Sequence, residues 1–417
     1  MNVNMAAMKV KVILTMALIC AATNAAFAES AFITSYWYGP PPKFTSIEHY
    51  RRIKDANFNV VFPPGPPDTS ITREQNLQIL DFCKQLEMKA VIFDPRMPKS
   101  LAAANAKANI DAIIADYAAH PALLAYFVVD EPSAGDFPAL GEVVAYIKQR
   151  DPNHPAYINL FPMHAAPWAQ LGTETYDEYV ARYLKLIDPF VLSYDHYPFT
   201  RQGDNPNYFT NLAIIRNAAV ASRRPFWNIA QLVQHYGYRP LTEPELRFQA
   251  MQTLAFGAGG LLWYTYWYPG QPDPTVAHAM IDFEGKPTIE YEWIKSINAD
   301  ARAIGDELIG SQSWATFHAG EAAHWAMPLA SPIAAVDESA KLAIGVFRGK
   351  DRTLALVTNR DYRKAVEAGV RIKPPDAAVE RFDPATRTWS PAKLDAERLR
   401  FSIPAGDGVL LRWSGGL

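Results

Sequence analysis

The sequence predicts an α/β chain: a (β/α)8 or TIM barrel followed by a small all-β sandwich. Three observations lead there. Eight strand-like segments alternate with helix-like ones up to about residue 308. That stretch is about 280 residues long, the size of one such barrel. Beyond residue 310 the pattern changes to short strands separated by turns.

The predicted barrel strands are Phe32–Tyr38, Phe58–Phe62, Lys89–Phe93, Leu123–Val129, Ala156–Phe161, Phe190–Tyr194, Phe226–Ala230 and Gly260–Tyr266, all rich in β-branched and aromatic residues. Helical periodicity fills the gaps. Ile47, Tyr50 and Ile53 share a face, as do Ile110, Ile113, Ile114 and Tyr117, and Leu140, Val143, Val144 and Ile147. Thr45 with Glu48, Thr72 with Gln75, Thr175 with Glu178 and Thr242 with Glu245 have capping-box spacing, and Pro244 falls in a first helical turn. The competing doubly wound sheet is disfavoured: no glycine-rich turn follows the first strand, and Gly39 runs into three prolines. Leu342–Phe347, Thr353–Thr358 and Val409–Trp413, with turns such as Gly349-Lys350-Asp351, supply the C-terminal sandwich. The expected division is 1–28, a signal peptide; 29–310, the barrel; and 311–417, the sandwich.

The first 28 residues differ from the rest. Lys9 and Lys11 precede an apolar run, Val12 to Ala22, and Ala26-Phe27-Ala28 is a small-x-small cleavage site. The run is too short for a membrane anchor, so a periplasmic or secreted protein cleaved after Ala28 is expected. That cleavage removes Cys20 and leaves Cys83, which excludes an internal disulfide. With 40 basic and 43 acidic residues, a net charge of −3 gives no electrostatic case for nucleic acid. The sequence carries no signal for an oligomeric state.

In a TIM barrel the active site lies at the C-terminal ends of the strands. Strand one runs into Tyr36-Trp37-Tyr38, strand three into Asp94-Pro95-Arg96 and strand four into Asp130-Glu131-Pro132. Strand five ends near Asn159, and strand six reaches Tyr194-Asp195-His196-Tyr197. Strand seven reaches Gln231, and strand eight gives Trp263-Tyr264-Thr265-Tyr266-Trp267. Aromatic faces stack on the C–H faces of a pyranose, and carboxylates and amides bind its hydroxyls. The predicted substrate contacts are therefore Tyr36, Trp37, Asp94, Asn159, Tyr194, His196, Tyr197, Gln231, Trp263, Tyr266 and Trp267. Two adjacent acids at the end of an apolar strand repel, and burial raises their pKa values. One then stays protonated near neutral pH and can act as a general acid. The bland alternative is a turn whose acids favour the following helix N-terminus.

The motif Asp130-Glu131-Pro132 resembles the clan A glycoside hydrolases, in particular the β-galactosidase-like barrels, whose fourth strand ends in Asn-Glu-Pro with the Glu as acid/base. Glu131 falls in that position. The stretch Asp282-Phe283-Glu284-Gly285-Lys286-Pro287-Thr288, with Tyr291 and Asn298, is also similar to theirs, as is the β domain. The resemblance implies hydrolysis of a glycosidic bond in an oligo- or polysaccharide. Two positions depart from it. Asp130 replaces the Asn, and Gln231 stands where those enzymes place a strand-seven nucleophilic Glu. An amide cannot serve as that nucleophile.

Three readings follow. Asp195 is the second carboxylate beside Glu131. Or Asp130 and Glu131 work as in substrate-assisted hexosaminidases, Asp130 orienting an acetamide and Glu131 protonating the leaving oxygen. Or the barrel binds carbohydrate without catalysis. His164 and His235 lie in strand-end loops. No zinc-spaced Cys/His cluster, HExxH, G-x-S-x-G or phosphate-binding glycine loop is present, so no cofactor or metal is required. Gly257, Gly259 and Gly260 read as close packing at the entry to strand eight.

Overall fold

A computed structural model of the chain describes residues 31–62, 64, 71–270, 275–319, 325–395 and 398–415. The signal-peptide segment lies outside them. The eight barrel strands are β1 (Ile33–Tyr36), β2 (Val60–Val61), β3 (Lys89–Ile92), β4 (Leu123–Asp130), β5 (Ala156–Leu160), β6 (Leu192–Asp195), β7 (Phe226–Gln231) and β8 (Gly260–Tyr264). They form one sheet in the order β1-β8-β7-β6-β5-β4-β3-β2. The ring closes between β1 and β2, where Asn59 N–H donates to Thr34 O at 3.1 Å and Ser35 Oγ to Val60 O at 2.9 Å.

The helices are α1 (Ile47–Asp55), α2 (Arg73–Gln85), α3 (Ala106–Tyr117), α4 (Phe137–Arg150), α5 (Tyr176–Ile187), α6 (Tyr208–Ser222), α7 (Glu243–Ala255) and α8 (Ile289–Leu308). Thr72–Gln75 and Thr242–Glu245 form reciprocal capping boxes, and Thr175 Oγ1 accepts the Glu178 N–H at 3.2 Å. Thr45 is one residue too early: the cap of α1 is Ser46, because the chain leaves a short 3-10 turn at Thr45 before the helix begins. Among the described residues no helix is long and apolar enough to cross a membrane.

The C-terminal strands are β9 (Gln312–His318), β10 (Ile333–Val336), β11 (Leu342–Arg348), β12 (Thr353–Asn359), β13 (Val366–Ile372), β14 (Glu380–Asp383), β15 (Thr388–Pro391), β16 (Leu394–Asp395), β17 (Arg398–Ile403) and β18 (Gly408–Trp413). They make a six-stranded sheet, β9-β11-β12-β18-β14-β15, and a four-stranded one, β10-β13-β17-β16. A second hydrophobic cluster that includes Phe317, Ile344, Val357, Val370 and Leu411 fills this domain.

Helix α7 joins the two halves. Ten of its residues are buried, on both faces, because the barrel covers one side and the β domain the other. Thr316 Oγ1 donates to Ala255 O at 3.0 Å. Gly345 on β11 comes so close that a Cβ there would lie 2.0 Å from the same carbonyl oxygen. Only glycine admits this approach.

Candidate active site

A β-strand sends alternate side chains to opposite sides, so along a barrel strand one set fills the interior and the other meets the helices. Tyr157 and Asn159 of β5 point inward. Tyr157 OH bonds Ser193 Oγ at 2.6 Å, and Ser193 Oγ donates to Asn159 Oδ1 at 3.1 Å. On β4 the register shifts between Phe127 and Val129, so Phe127 pairs with Tyr157 while Asp130 pairs with Asn159. The extra residue reverses the alternation and turns Asp130 inward.

Asn159 then bridges two acids. Its Nδ2 donates to Asp130 Oδ1 at 3.1 Å and to Asp195 Oδ1 at 3.0 Å. Glu131 follows in the left-handed region, φ +46°, with its N–H on Asn159 O at 2.9 Å. This backbone is costly for a residue with a Cβ and is held by the β5 contact and by Pro132. It brings the Glu131 carboxyl beside that of Asp195, near enough for each to shift the proton affinity of the other.

The electrostatics follow from this packing. Burial, then the neighbouring Asp195 and Asp130, push the Glu131 pKa upward. Burial and Asp130 push Asp195 up as well, while the Asn159 bond and the Glu131 carboxyl oppose the shift. Both carboxyls therefore hold protons to higher pH than isolated acids do. Asp130 is pushed up to about 6 by burial, against the Asn159 bond and the charge of Lys99. Its carboxyl is open to the cleft even so.

Phenols wall the acids on one side. The Tyr197 ring stacks 5.4 Å from that of Tyr264, and Tyr264 lies 5.7 Å from Tyr38. Tyr238 meets Tyr197 edge-on at 5.4 Å, and His235 packs 5.1 Å from Tyr264. Burial and the acids raise the Tyr38 and Tyr238 hydroxyls to about 12, so both remain donors. Burial lowers the His235 pKa and favours its neutral form. Trp37 lies beneath, among Phe62, Phe127 and Tyr157, and its indole N–H reaches Tyr38. Two exposed aromatics, Trp168 and Tyr236, stand on the β5 and β7 loops. The Trp168 segment packs against the turn after Glu131, through Ala134 N–H on Leu171 O at 2.8 Å.

The structure thus gathers Asp130, Glu131, Asn159, Asp195 and Tyr197, with Trp37 as floor. The remaining expected contacts are elsewhere. Tyr36 and Tyr266 pack on each other at 4.7 Å, fully buried on the helix side. Trp263 Nε1 donates to Asn298 Oδ1 of α8 at 2.9 Å, and Trp267 packs on Phe44 and His49. Tyr194 is buried toward Tyr176 and Tyr208. His196 bonds Asn211 at 2.8 Å, and burial drives its pKa down to about 3. Exposed His164 packs on it. Tyr36, Trp263 and Tyr194 carry the outward parity of their strands, whereas His196, Tyr266 and Trp267 lie beyond the strand ends. Asp94 fails for another reason. Burial would raise its pKa, but bonds from Arg96, at 2.7 and 2.9 Å, and from Tyr117 hold it below the usual range, as part of a turn.

Gln231 is also structural. Its Oε1 accepts the Phe199 N–H at 2.9 Å and its Nε2 donates to Phe199 O at 3.0 Å, clamping the loop after β6. A carboxylate there would lose the donor and face a carbonyl oxygen. Gln231→Glu is expected to destabilise the fold by about 1–3 kcal/mol without raising activity, as measured by denaturant titration and turnover. The residues missed in the sequence are Tyr38, Tyr238 and Tyr264: Tyr264 has the inward parity that Trp263 lacks, whereas Tyr38 and Tyr238 lie beyond the ends of β1 and β7, where strand alternation gives no signal.

The barrel with a trailing β domain is an architecture found among glycoside hydrolases of known structure. The chain is similar to the β-galactosidase from Bacillus circulans sp. alkalophilus, with a TM-score of 0.64 and 10% identity over 92% of this chain and 99% of that one. It is also similar to a catalytic mutant of Gan42B, a GH42 β-galactosidase from G. stearothermophilus, with a TM-score of 0.60 and 7% identity over 93% and 98%. A glycoside hydrolase family 5 protein from Bacteroides vulgatus gives a TM-score of 0.55 at 11% identity over 92% and 89%. At these identities the likeness is one of fold. No protein-family model and no curated protein matches the chain.

Proposed function

We propose that this protein is an exported glycoside hydrolase that cleaves an O-glycosidic bond in an oligo- or polysaccharide, with Glu131 as general acid and Asp195 as second carboxylate. The observation that carries the reading is the Glu131 carboxyl set beside Asp195 at the C-terminal mouth of the barrel, next to a wall of phenols. Burial and two neighbouring acids keep a proton on Glu131. An incoming glycosidic oxygen takes that proton and departs as an alcohol. Asp195, left ionised, faces the developing oxocarbenium centre, and water adds to C1 and gives up its proton to the pair, which restores the acid. The phenols stack on the sugar or bind its hydroxyls.

The adjacency of Asp130 and Glu131 at the end of β4 also favours a second reading. A 2-acetamido sugar needs no enzyme nucleophile: its own carbonyl oxygen attacks C1, Asp130 accepts the amide N–H, and Glu131 protonates the leaving oxygen. Hydrolysis of paired aryl glycosides, with and without the 2-acetamido group, alongside polysaccharides, separates the two. Turnover of unsubstituted sugars supports the Glu131–Asp195 mechanism, and turnover of 2-acetamido sugars alone supports the second. No turnover by folded protein would leave a carbohydrate-binding barrel.

A further inference from the structure

At the opposite end of the barrel, where β7 and β8 begin, a cavity of about 500 Å³ opens between the barrel and the β domain. Arg216 of α6 and the adjoining Arg223 and Arg224 line one side, and Ser311, Gln312, Ser313 and Phe347 line another. Three arginines are among the lining residues, and no Asp or Glu is.

The charge balance around them is incomplete. Arg224 pairs with Asp188, which lies outside the cavity and also binds Lys148 at 3.0 Å. Among the described residues Arg216 has neutral partners only. Its Nε donates to Ser313 Oγ at 2.9 Å, its Nη2 to Ser313 O at 3.1 Å and its Nη1 to Asn217 Oδ1 at 2.9 Å. Arg216 is half-buried, and burial pushes its pKa down. A guanidinium held away from water without a counter-charge is costly. Arg223 meets no carboxylate among the described residues.

We infer that this cavity is a binding site for a small oxyanion of the phosphate or sulfate class, free or carried on a small molecule. Guanidinium forks match the tetrahedral oxygens of such groups, and the volume is that of a small-molecule site. The three arginines lie in a concavity rather than along an open basic face, which favours a compact anion over nucleic acid. Because Arg216 and Ser313 belong to different domains, an ion seated there would brace the barrel against the β domain.

The test is calorimetric titration of the full chain with sodium sulfate and sodium phosphate, against chloride at matched ionic strength, together with melting curves. Saturable binding and a rise in Tm of about 2–4 °C near saturation are expected, and the tighter of the two ions names the ligand class. Arg223→Gln is expected to weaken binding about tenfold, the effect of losing one charge-assisted hydrogen bond. It leaves the Arg216 brace in place. Arg216→Lys keeps the charge but loses the fork, and should weaken binding similarly. No binding beyond chloride overturns the inference. So does binding unchanged in both variants, which would place the ion elsewhere.

Discussion

Replacement of Glu131 by Gln is expected to lower kcat on unactivated glycosides by about 10²–10⁴-fold, with KM nearly unchanged, since general acid catalysis typically contributes that much. The amide keeps the shape of the side chain and can still sit beside Asp195, so the packing of position 131 in the folded state survives. What is lost is the transferable proton. Aryl glycosides with strongly acidic leaving groups need little protonation and should lose less. That difference between good and poor leaving groups separates a missing acid from a damaged fold. Circular dichroism and Tm of the variant should match wild type. Equal turnover by the two proteins on poor leaving groups would remove Glu131 from the mechanism.

The barrel was legible in the sequence because β-branched strands and amphipathic helices alternate over its whole length. The cap signals at Thr72, Thr175 and Thr242 marked helix starts to the residue. The site was legible only in part. Asp130, Glu131, Asn159 and Asp195 were found by position at strand ends. The aromatic runs at the ends of β1 and β8 were taken whole, although a barrel strand gives only alternate residues to its interior. Trp263 anchors to Asn298 of α8, whereas its neighbour Tyr264 faces the acids. The parity itself depends on the irregularity at Val128, which a sequence does not print. With strict alternation from Phe127, Asp130 would have turned toward the helices and the acid cluster would not exist. Gln231 has a comparable explanation. Its amide is used in full to hold Phe199, a task that no carboxylate performs.

Asp195→Asn is expected to abolish most activity while raising Tm at alkaline pH. The sign follows from proton linkage. Burial and neighbouring acids raise the folded pKa values of Glu131 and Asp195 above the ordinary carboxylate range, and Asp130 rises to about 6. From about pH 4 upward the unfolded chain has therefore released protons that the folded chain still holds. Stability contributed by these groups is complete below that range and is lost as pH rises through their raised values. An asparagine at position 195 carries no charge to bury and still fits beside Asn159. Each tenfold change in proton affinity corresponds to about 1.4 kcal/mol, or about 2–4 °C in Tm for a chain of this size. The variant should match wild type below about pH 4, gain on it as pH rises, and exceed it by several degrees near pH 8. Wild-type activity should decline over the same alkaline interval, as the proton shared by Glu131 and Asp195 leaves a coupled pair. A Tm difference independent of pH would mean that Asp195 shares no proton with Glu131. The alkaline loss of activity would then have to come from another group.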